Sequence, residues 1–344
     1  MPMPRARTSR HHSQLTAIEK EEIMNQNHRG FVPLLLAACC AATACGSQSV
    51  DGQTAELAKS QSAAAGDGNT DILWHNGVTG ETQHWYMHVA SGVATRLSFP
   101  SLSSTLNVPD SSGWKPVAEQ DFNGDGNADI LWHNGTSGAT QLWYMADAVN
   151  RASIGDFSPA LNLADNTNWR VAGTGDFNAD GKTDILWHNV VTGQMQAWFM
   201  NGHVRLNFGN LVGLGGGALP TMTQAAGWRV AAVNDFDGNS GSDVVWHNGT
   251  SGVTRVWFMT GVGLSGIADL DPSLNLADST GWRIMNLADA DYNFDGMPDL
   301  LWHNGTTGVT QIWLMNGTVR TSFVNLPASL NLPDSSNWRI VHPY

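Results

Sequence analysis

The hexapeptide Asp-Ile-Leu-Trp-His-Asn stands at 71–76, 129–134 and 184–189, with Asp-Val-Val-Trp-His-Asn at 243–248 and Asp-Leu-Leu-Trp-His-Asn at 299–304. Successive tryptophans of this marker are 58, 55, 59 and 56 residues apart. A period of that size confines the chain to one supersecondary unit used repeatedly, each unit burying its apolar face on the next. Every tryptophan obeys the period. Eleven residues after each marker tryptophan comes a second, at Trp85, Trp143, Trp198, Trp257 and Trp313, and a third recurs as Trp114, Trp169, Trp228, Trp282 and Trp338. The fifteen are then exhausted, and no comparable apolar matter remains for a second domain.

Within a unit the pattern predicts strands. Unit three reads Trp169-Arg-Val-Ala172, Ile185-Leu-Trp-His188, Gln196-Ala-Trp-Phe-Met200 and His203-Val-Arg-Leu206, all short and rich in β-branched or aromatic residues. A Thr/Ser-Gly turn separates the second and third, and Asn201-Gly202 or Asn316-Gly317 the third and fourth, supplying the positive φ of a tight hairpin. Four antiparallel strands make one blade, and five blades around an axis make an all-β, five-bladed propeller. The first unit begins at its second strand and the chain ends on a lone first-type strand, Trp338-Arg-Ile-Val341. That strand is expected to complete the N-terminal blade and close the ring, removing exposed edges. Composition agrees with short strands and tight turns: 37 glycines, four lysines, and 14% charged residues.

Between first and second strands lies an oxygen-rich loop of nine residues. It supplies Asp121, Asn123, Asp125, Asn127 and Asp129 in unit two; Asp176, Asn178, Asp180, Lys182 and Asp184 in unit three; and Asp291, Asn293, Asp295, Met297 and Asp299 in unit five. Side-chain oxygens at positions 1, 3, 5 and 9, the backbone carbonyl at 7 and glycine at 6 suit a hard divalent cation, and calcium takes six to eight oxygens. Magnesium, with its rigid octahedron, suits the loop less. Unit four departs, with Asp235, Asp237, Asn239, Gly241 and Asp243 and its glycine displaced to position 7, so weaker binding is expected there. Unit one keeps Asp67, Gly68, Asn69 and Asp71 but has Ala63 and Ala65 for its first two ligands, and is expected to be empty or poorly occupied.

An Asp-rich loop leading into Asp-Ile-Leu-Trp and then Trp-x-Met-Asn-Gly resembles the FG-GAP/VCBS repeats of bacterial secreted proteins, relatives of the calcium-binding propeller of integrin α chains and of a fungal propeller lectin. The resemblance covers residues 63–344. Five blades depart from the seven frequent in that family. The resemblance implies calcium in the loops and a role in adhesion or carbohydrate recognition.

Residues 31–45 are apolar and small, follow Arg29, and give way to Gly46-Ser47-Gln48-Ser49, as a secretory leader does. Leu36-Ala-Ala-Cys39 and Ala42-Thr-Ala-Cys45 resemble lipoprotein cleavage boxes. Cys45, which leaves the longer apolar region, is the expected lipidation site and Cys39 the alternative; an ordinary cleaved leader would make both incidental. Glu19, Glu21 and Glu22 are out of place in a leader, and Met24 is the alternative start. The organisation expected is a leader over 1–45, a flexible polar tether over 46–62 and the propeller over 63–344. All three cysteines fall in the leader, so the propeller can hold no disulfide. A bacterial envelope or outer-membrane lipoprotein, or a secreted protein, is the expected destination, touching membrane only through a lipid anchor.

The remainder after residue 45 has 12 basic and 27 acidic side chains, which disfavours nucleic acid and favours cations. Two sets of residues are candidate ligand contacts. His75, His133, His188, His247 and His303 follow the marker tryptophans and should lie on the face opposite the calcium loops, where imidazoles could meet sugar hydroxyls or simply bond their own turns. Trp114, Trp169, Trp228, Trp282 and Trp338 follow polar loops and could line grooves between blades, whereas the other ten tryptophans are expected to be core. No Gly-x-Ser-x-Gly, His-Glu-x-x-His or phosphate-loop pattern occurs, so no enzyme is expected. A monomeric calcium-stabilised module for a glycan or cell-surface protein is the leading expectation, a structural scaffold the rival, and a glycan-processing enzyme the third.

Overall fold

The computed structural model describes residues 71–343 apart from 161, 273–274 and 286–289. The expected leader, Cys39, Cys45, the tether and the first unit's loop through Asn69 lie outside the described residues.

Among the described residues, twenty strands form five four-stranded antiparallel sheets. Blade one begins with β1 (Ile72–Asn76), β2 (Thr82–Ala90) and β3 (Val93–Ser98). Blade two is β4 (Trp114–Gln120), β5 (Asp129–Asn134), β6 (Thr140–Met145) and β7 (Arg151–Asp156). Blade three is β8 (Trp169–Gly175), β9 (Asp184–Asn189), β10 (Met195–Asn201) and β11 (Val204–Asn210). Blade four is β12 (Trp228–Asn234), β13 (Asp243–Asn248), β14 (Thr254–Thr260) and β15 (Gly263–Asp269). Blade five is β16 (Trp282–Met285), β17 (Leu300–Asn304), β18 (Thr310–Asn316) and β19 (Val319–Asn325). The last strand, β20 (Trp338–Ile340), returns to β1, pairing Trp74 with Ile340, His75 with Arg339 and Asn76 with Trp338. Ring closure by the terminal strand, expected from the sequence, is therefore observed.

Each second strand is buried on both faces, so its apolar run is continuous rather than alternating. Alternation decides which neighbour each residue meets. Ile130, Trp132 and Trp143 of blade two pack with Leu73 and Val341 of blade one, whereas Leu131 and Leu142 pack with Ile185, Trp187 and Trp198 of blade three. The same exchange joins blades three to four, four to five and five to one, so five apolar layers close a circle. Each layer centres on two indoles whose centroids lie 4.6–5.0 Å apart. Burying an aromatic side chain of this size stabilises by about 2–3 kcal/mol. Interblade packing on both faces of every sheet is the main source of cohesion.

The inner strands bulge near their middles, between Pro116 and Ala118, Val171 and Gly173, and Val230 and Ala232. The residues there are small, and the inner strands of neighbouring blades approach one another.

Candidate functional site

Strand direction separates the two candidate regions. β5 starts at Asp129, at the end of the oxygen-rich loop, and finishes at His133-Asn134, where the chain turns into β6. The loops and the histidines therefore occupy opposite faces of the ring.

In the loop of blade two, the Asp121 carboxylate accepts from the backbone N–H groups of Gly124 at 2.7 Å and Gly126 at 2.9 Å, while Asn123 Oδ1 accepts from Asp125 N and Asp125 Oδ1 from Asn127 N. Asp176 and Asp291 hold Gly181 N and Gly296 N in the same way, each at 2.8 Å. The chain takes left-handed φ at positions 4 and 6, through Gly124 and Gly126, Ala179 and Gly181, and Phe294 and Gly296. Glycine supplies such a φ without the clash a Cβ brings. The position 9 carboxylates are buried and span two elements: Asp129 accepts from Phe122 N in its loop and Met145 N on the third strand, and Asp184, Asp243 and Asp299 repeat this. Burial, with the nearby loop aspartates and against those two backbone donors, pushes Asp129 up to about 6 and Asp184, Asp243 and Asp299 to about 7. Crowded carboxylates with an all-oxygen donor set fit a hard divalent cation.

Loop four is built differently. Asp235, Asp237 and Asp243 each bring a carboxylate oxygen within 4.8 Å of the others, and no other described trio of His, Cys, Asp or Glu side chains converges so closely. Asn239 is tied to backbone, donating to the Met259 carbonyl at 2.8 Å and accepting from Gly241 N at 2.7 Å. The displaced glycine leaves Ser240 at φ 68°, a strained conformation for a residue with a Cβ.

On the opposite face the five histidines are sealed, each at most 3% exposed. Nδ1 of His75, His133, His247 and His303 shares a hydrogen bond of 2.9–3.1 Å with Thr82, Thr140, Thr254 and Thr310. Nε2 of each looks toward a carboxylate from the turn leading into the next blade: Asp110 at 3.3 Å, Asp165 at 4.0 Å, and Asp278 and Asp334 at 3.9 Å. Inner-strand arginines join these aspartates, Arg339 to Asp110 and Arg229 to Asp278 through paired bonds of 2.7 and 2.8 Å. The Thr–His–Asp order is that of a nucleophilic relay, with the threonines no more than 7% exposed. Burial drives His75, His133, His247 and His303 down to about 4, so they are neutral at physiological pH. Each string is a clasp between adjacent blades.

The clasp has a signature that sequence reading passed over: an aspartate four residues before the inner-strand tryptophan, at 110, 165, 278 and 334. A glycine faces it, since a Cβ on Gly77, Gly135, Gly249 or Gly305 would lie 2.2–2.7 Å from the carboxylate. At the junction of blades three and four all three partners change together, to Gln224, Val190 and Met195. There His188, also held down to about 4 by burial, donates from Nε2 to the Met222 carbonyl at 2.9 Å instead.

Trp114, Trp169, Trp228, Trp282 and Trp338 are half-buried at the edges of the five apolar layers, on the histidine face. The other ten tryptophans are buried. Arg96, Arg151, Arg205 and Arg320 cover four of the third-strand indoles at 4.3–4.6 Å from the ring centroid, a cation–π arrangement.

One departure from fivefold likeness was also missed. Where blades two to five place Leu142, Ala197, Val256 and Ile312, blade one has His84, whose Nδ1 lies 2.9 Å from Glu119 of blade two. Burial opposes protonation of His84, but the charge and hydrogen bond of Glu119, aided by Asp71, raise it above the ordinary histidine value. The signal was a histidine at an otherwise apolar repeat position.

Residues 121–187 match the family described as FG-GAP-like repeat, a stretch running from the loop of blade two to the second strand of blade three. No curated protein matches the chain. Among solved structures, the Photorhabdus luminescens Tc holotoxin pore is 16% identical over 77% of this chain, with a TM-score of 0.40, and this chain covers 12% of that one's length. An Agrocybe aegerita lectin, described as recognising non-reducing terminal N-acetylglucosamine, is 12% identical over 80% of this chain and 83% of its own, with a TM-score of 0.42. A Myxococcus xanthus glutaminyl cyclase is 10% identical over 67% and 89%, at 0.32. Likenesses this weak carry no activity, ligand or partner across.

Proposed function

We propose that this chain, a five-bladed β-propeller built of FG-GAP-like repeats, is a calcium-supported module that binds carbohydrate at the bacterial cell surface. One observation carries the reading. Five half-buried indoles stand around one face of the ring, each on an inner strand whose next residue is Lys115, Arg170, Arg229, Arg283 or Arg339. An indole offers a flat apolar surface to a pyranose ring, and a neighbouring polar side chain such as Arg283 offers hydrogen bonds to its substituents. Repetition around a ring gives several equivalent contacts, and multivalency raises avidity for a displayed polymer.

Calcium enters as a support for the opposite face. Asp121, Asp125 and Asp129 with Asn123, and the matching sets at 176–184 and 291–299, would hold it, as would the trio Asp235, Asp237 and Asp243. A bound cation supplies positive charge that offsets the crowding of these carboxylates and fixes the loop between inner and second strands. The leader ending at Cys45 or Cys39, followed by a polar tether, supports a monomeric module displayed from an envelope lipid. No reaction forms part of the reading.

A glycan array, read with calcium and with chelator on the purified chain, tests it. Calcium-dependent binding to a defined sugar class is the expected result. A blank array from folded, calcium-loaded protein overturns the carbohydrate reading and directs the search to a protein partner.

A further inference from the structure

Fivefold likeness also fails where β20 closes the ring. Counting from the inner-strand tryptophans, the position that holds Ala118, Gly173 and Ala232 in blades two to four holds His342 in blade one. A cavity of about 380 Å³ opens there between blades five and one, lined by Arg283, Arg339, His303, His342, Asp334 and Trp338. Its size lies within the range of small-molecule sites, about 300–1,000 Å³. Hydrophobic, imidazole, guanidinium and carboxylate groups converge on it, the mixture expected for a ligand with both a ring and polar substituents.

The arginines differ in what they have left to offer. Arg339 and Arg229 are each spent on a paired bond to one carboxylate, and Arg170 donates to the Asp165 carbonyl at 2.8 Å. Arg283 meets Asp334 only at 3.7 Å, and both side chains are half-exposed. The planar fork of an arginine matches a carboxylate through two parallel bonds, a geometry Asp334 does not supply. Nε2 of His303, buried and without a hydrogen-bond partner, belongs to the same lining. The imidazole of His342 is held down to about 4 by burial and then by Arg339, Arg229 and Arg283, against the hydrogen bond that it donates to the Pro343 carbonyl.

We infer that this cavity takes an acidic sugar, a hexuronate whose carboxylate pairs with Arg283 and whose ring lies against Trp338. The inference rests on the carbohydrate-binding reading and narrows it to one pocket and one charge class. Neutral sugars would leave the Arg283 fork unmatched, and a bare anion would leave the indole unused.

Titration calorimetry of the purified, calcium-loaded chain with methyl glucuronide, methyl glucoside, acetate and inorganic phosphate tests the inference, beside the glycan array. The glucuronide is expected to bind, with glucoside, acetate and phosphate each about ten-fold weaker or more. Arg283→Gln, at a half-exposed side chain that folding does not require, is expected to lower glucuronide affinity by about ten-fold and leave the melting temperature near that of the parent. Arg151→Gln, over the buried third-strand indole of Trp143 in blade two, is expected to change nothing in binding. Equal binding of glucuronide and glucoside, or full affinity in Arg283→Gln, overturns the acidic-sugar pocket while leaving the module a glycan binder. Phosphate or acetate binding as tightly as glucuronide reduces the cavity to a simple anion site and overturns the sugar assignment. An array blank for every glycan overturns this inference together with the reading beneath it.

Discussion

The imidazole of His303 stands edge-on to the indole of Trp74, with centroids 5.5 Å apart and planes at 85°. The same contact joins His75 to Trp132, His133 to Trp187, His188 to Trp246 and His247 to Trp302. Each of these contacts joins one blade to the next, and the His303–Trp74 step is the one that crosses the junction closed by β20. Trp74→Ala is expected to cost about 3–5 kcal/mol by cavity formation. Urea unfolding measures it, and a loss below about 1 kcal/mol would show the join to be slack.

Neutral buried histidines make stability depend on acid. Their folded values near 4 lie below the unfolded value near 6.5, so between these limits the unfolded chain binds more protons and stability falls as pH is lowered from about 6.5 toward 4. The raised loop aspartates act in the opposite sense, so the comparison must be between parent and variant. His133→Gln is expected to flatten the fall across this window by up to about 3 kcal/mol. Denaturant unfolding at a series of pH values, each with chelator, reads the difference; parallel curves would mean that His133 titrates alike in both states.

Calcium that binds only the folded loops stabilises by mass action, by about 2.7 kcal/mol per site at a hundredfold excess over Kd. Chelation should therefore lower the melting temperature. Asp237→Asn should reduce the calcium-induced rise in proportion to the share of loop four, which tests whether its converging carboxylates outweigh its displaced glycine. No shift on chelation removes the calcium proposal.

Ser240, Ala179 and Phe294 occupy left-handed backbone that glycine accepts more easily. Ser240→Gly is expected to stabilise by about 0.5–1 kcal/mol, the relief of strain exceeding the added unfolded-state entropy. Thermal unfolding measures it, and destabilisation would mean that the seryl side chain makes a compensating contact.

The clasp missing between blades three and four should be installable. Gln224→Asp alone meets Val190 where the other junctions have glycine, and Val190→Gly alone adds only backbone freedom. The double substitution is expected to exceed the sum of the singles by about 1 kcal/mol in a mutant cycle. Additivity would show that His188, already bonded to Met222, does not accept the carboxylate.

The blades were legible because period, strand alternation and turn residues all agree: Trp132 follows Ile130 by two and faces the same neighbour, and β20 was visible as an unpaired first strand. The loops were legible for the same reason, although the need for positive φ at position 4 was hidden by Ala179 and Phe294. What escaped was pairwise and long-range. Asp110 and Arg339 are 229 residues apart, and no local pattern links them. His342 was unreadable as a cavity residue because its meaning comes from occupying the register of Ala118, Gly173 and Ala232.

That 229-residue separation also sets an order of events in synthesis. Blade one emerges from the ribosome with three strands and waits, its inner edge open, while four further blades are made. Its partner strand, β20, follows all four of them, so the inner edge of β1 stays unpaired until every other blade has been made. A chain stopped before Trp338 keeps every other blade and an open edge on β1, a free strand poised to pair with whatever it meets. Closure of the ring thus waits on all five blades.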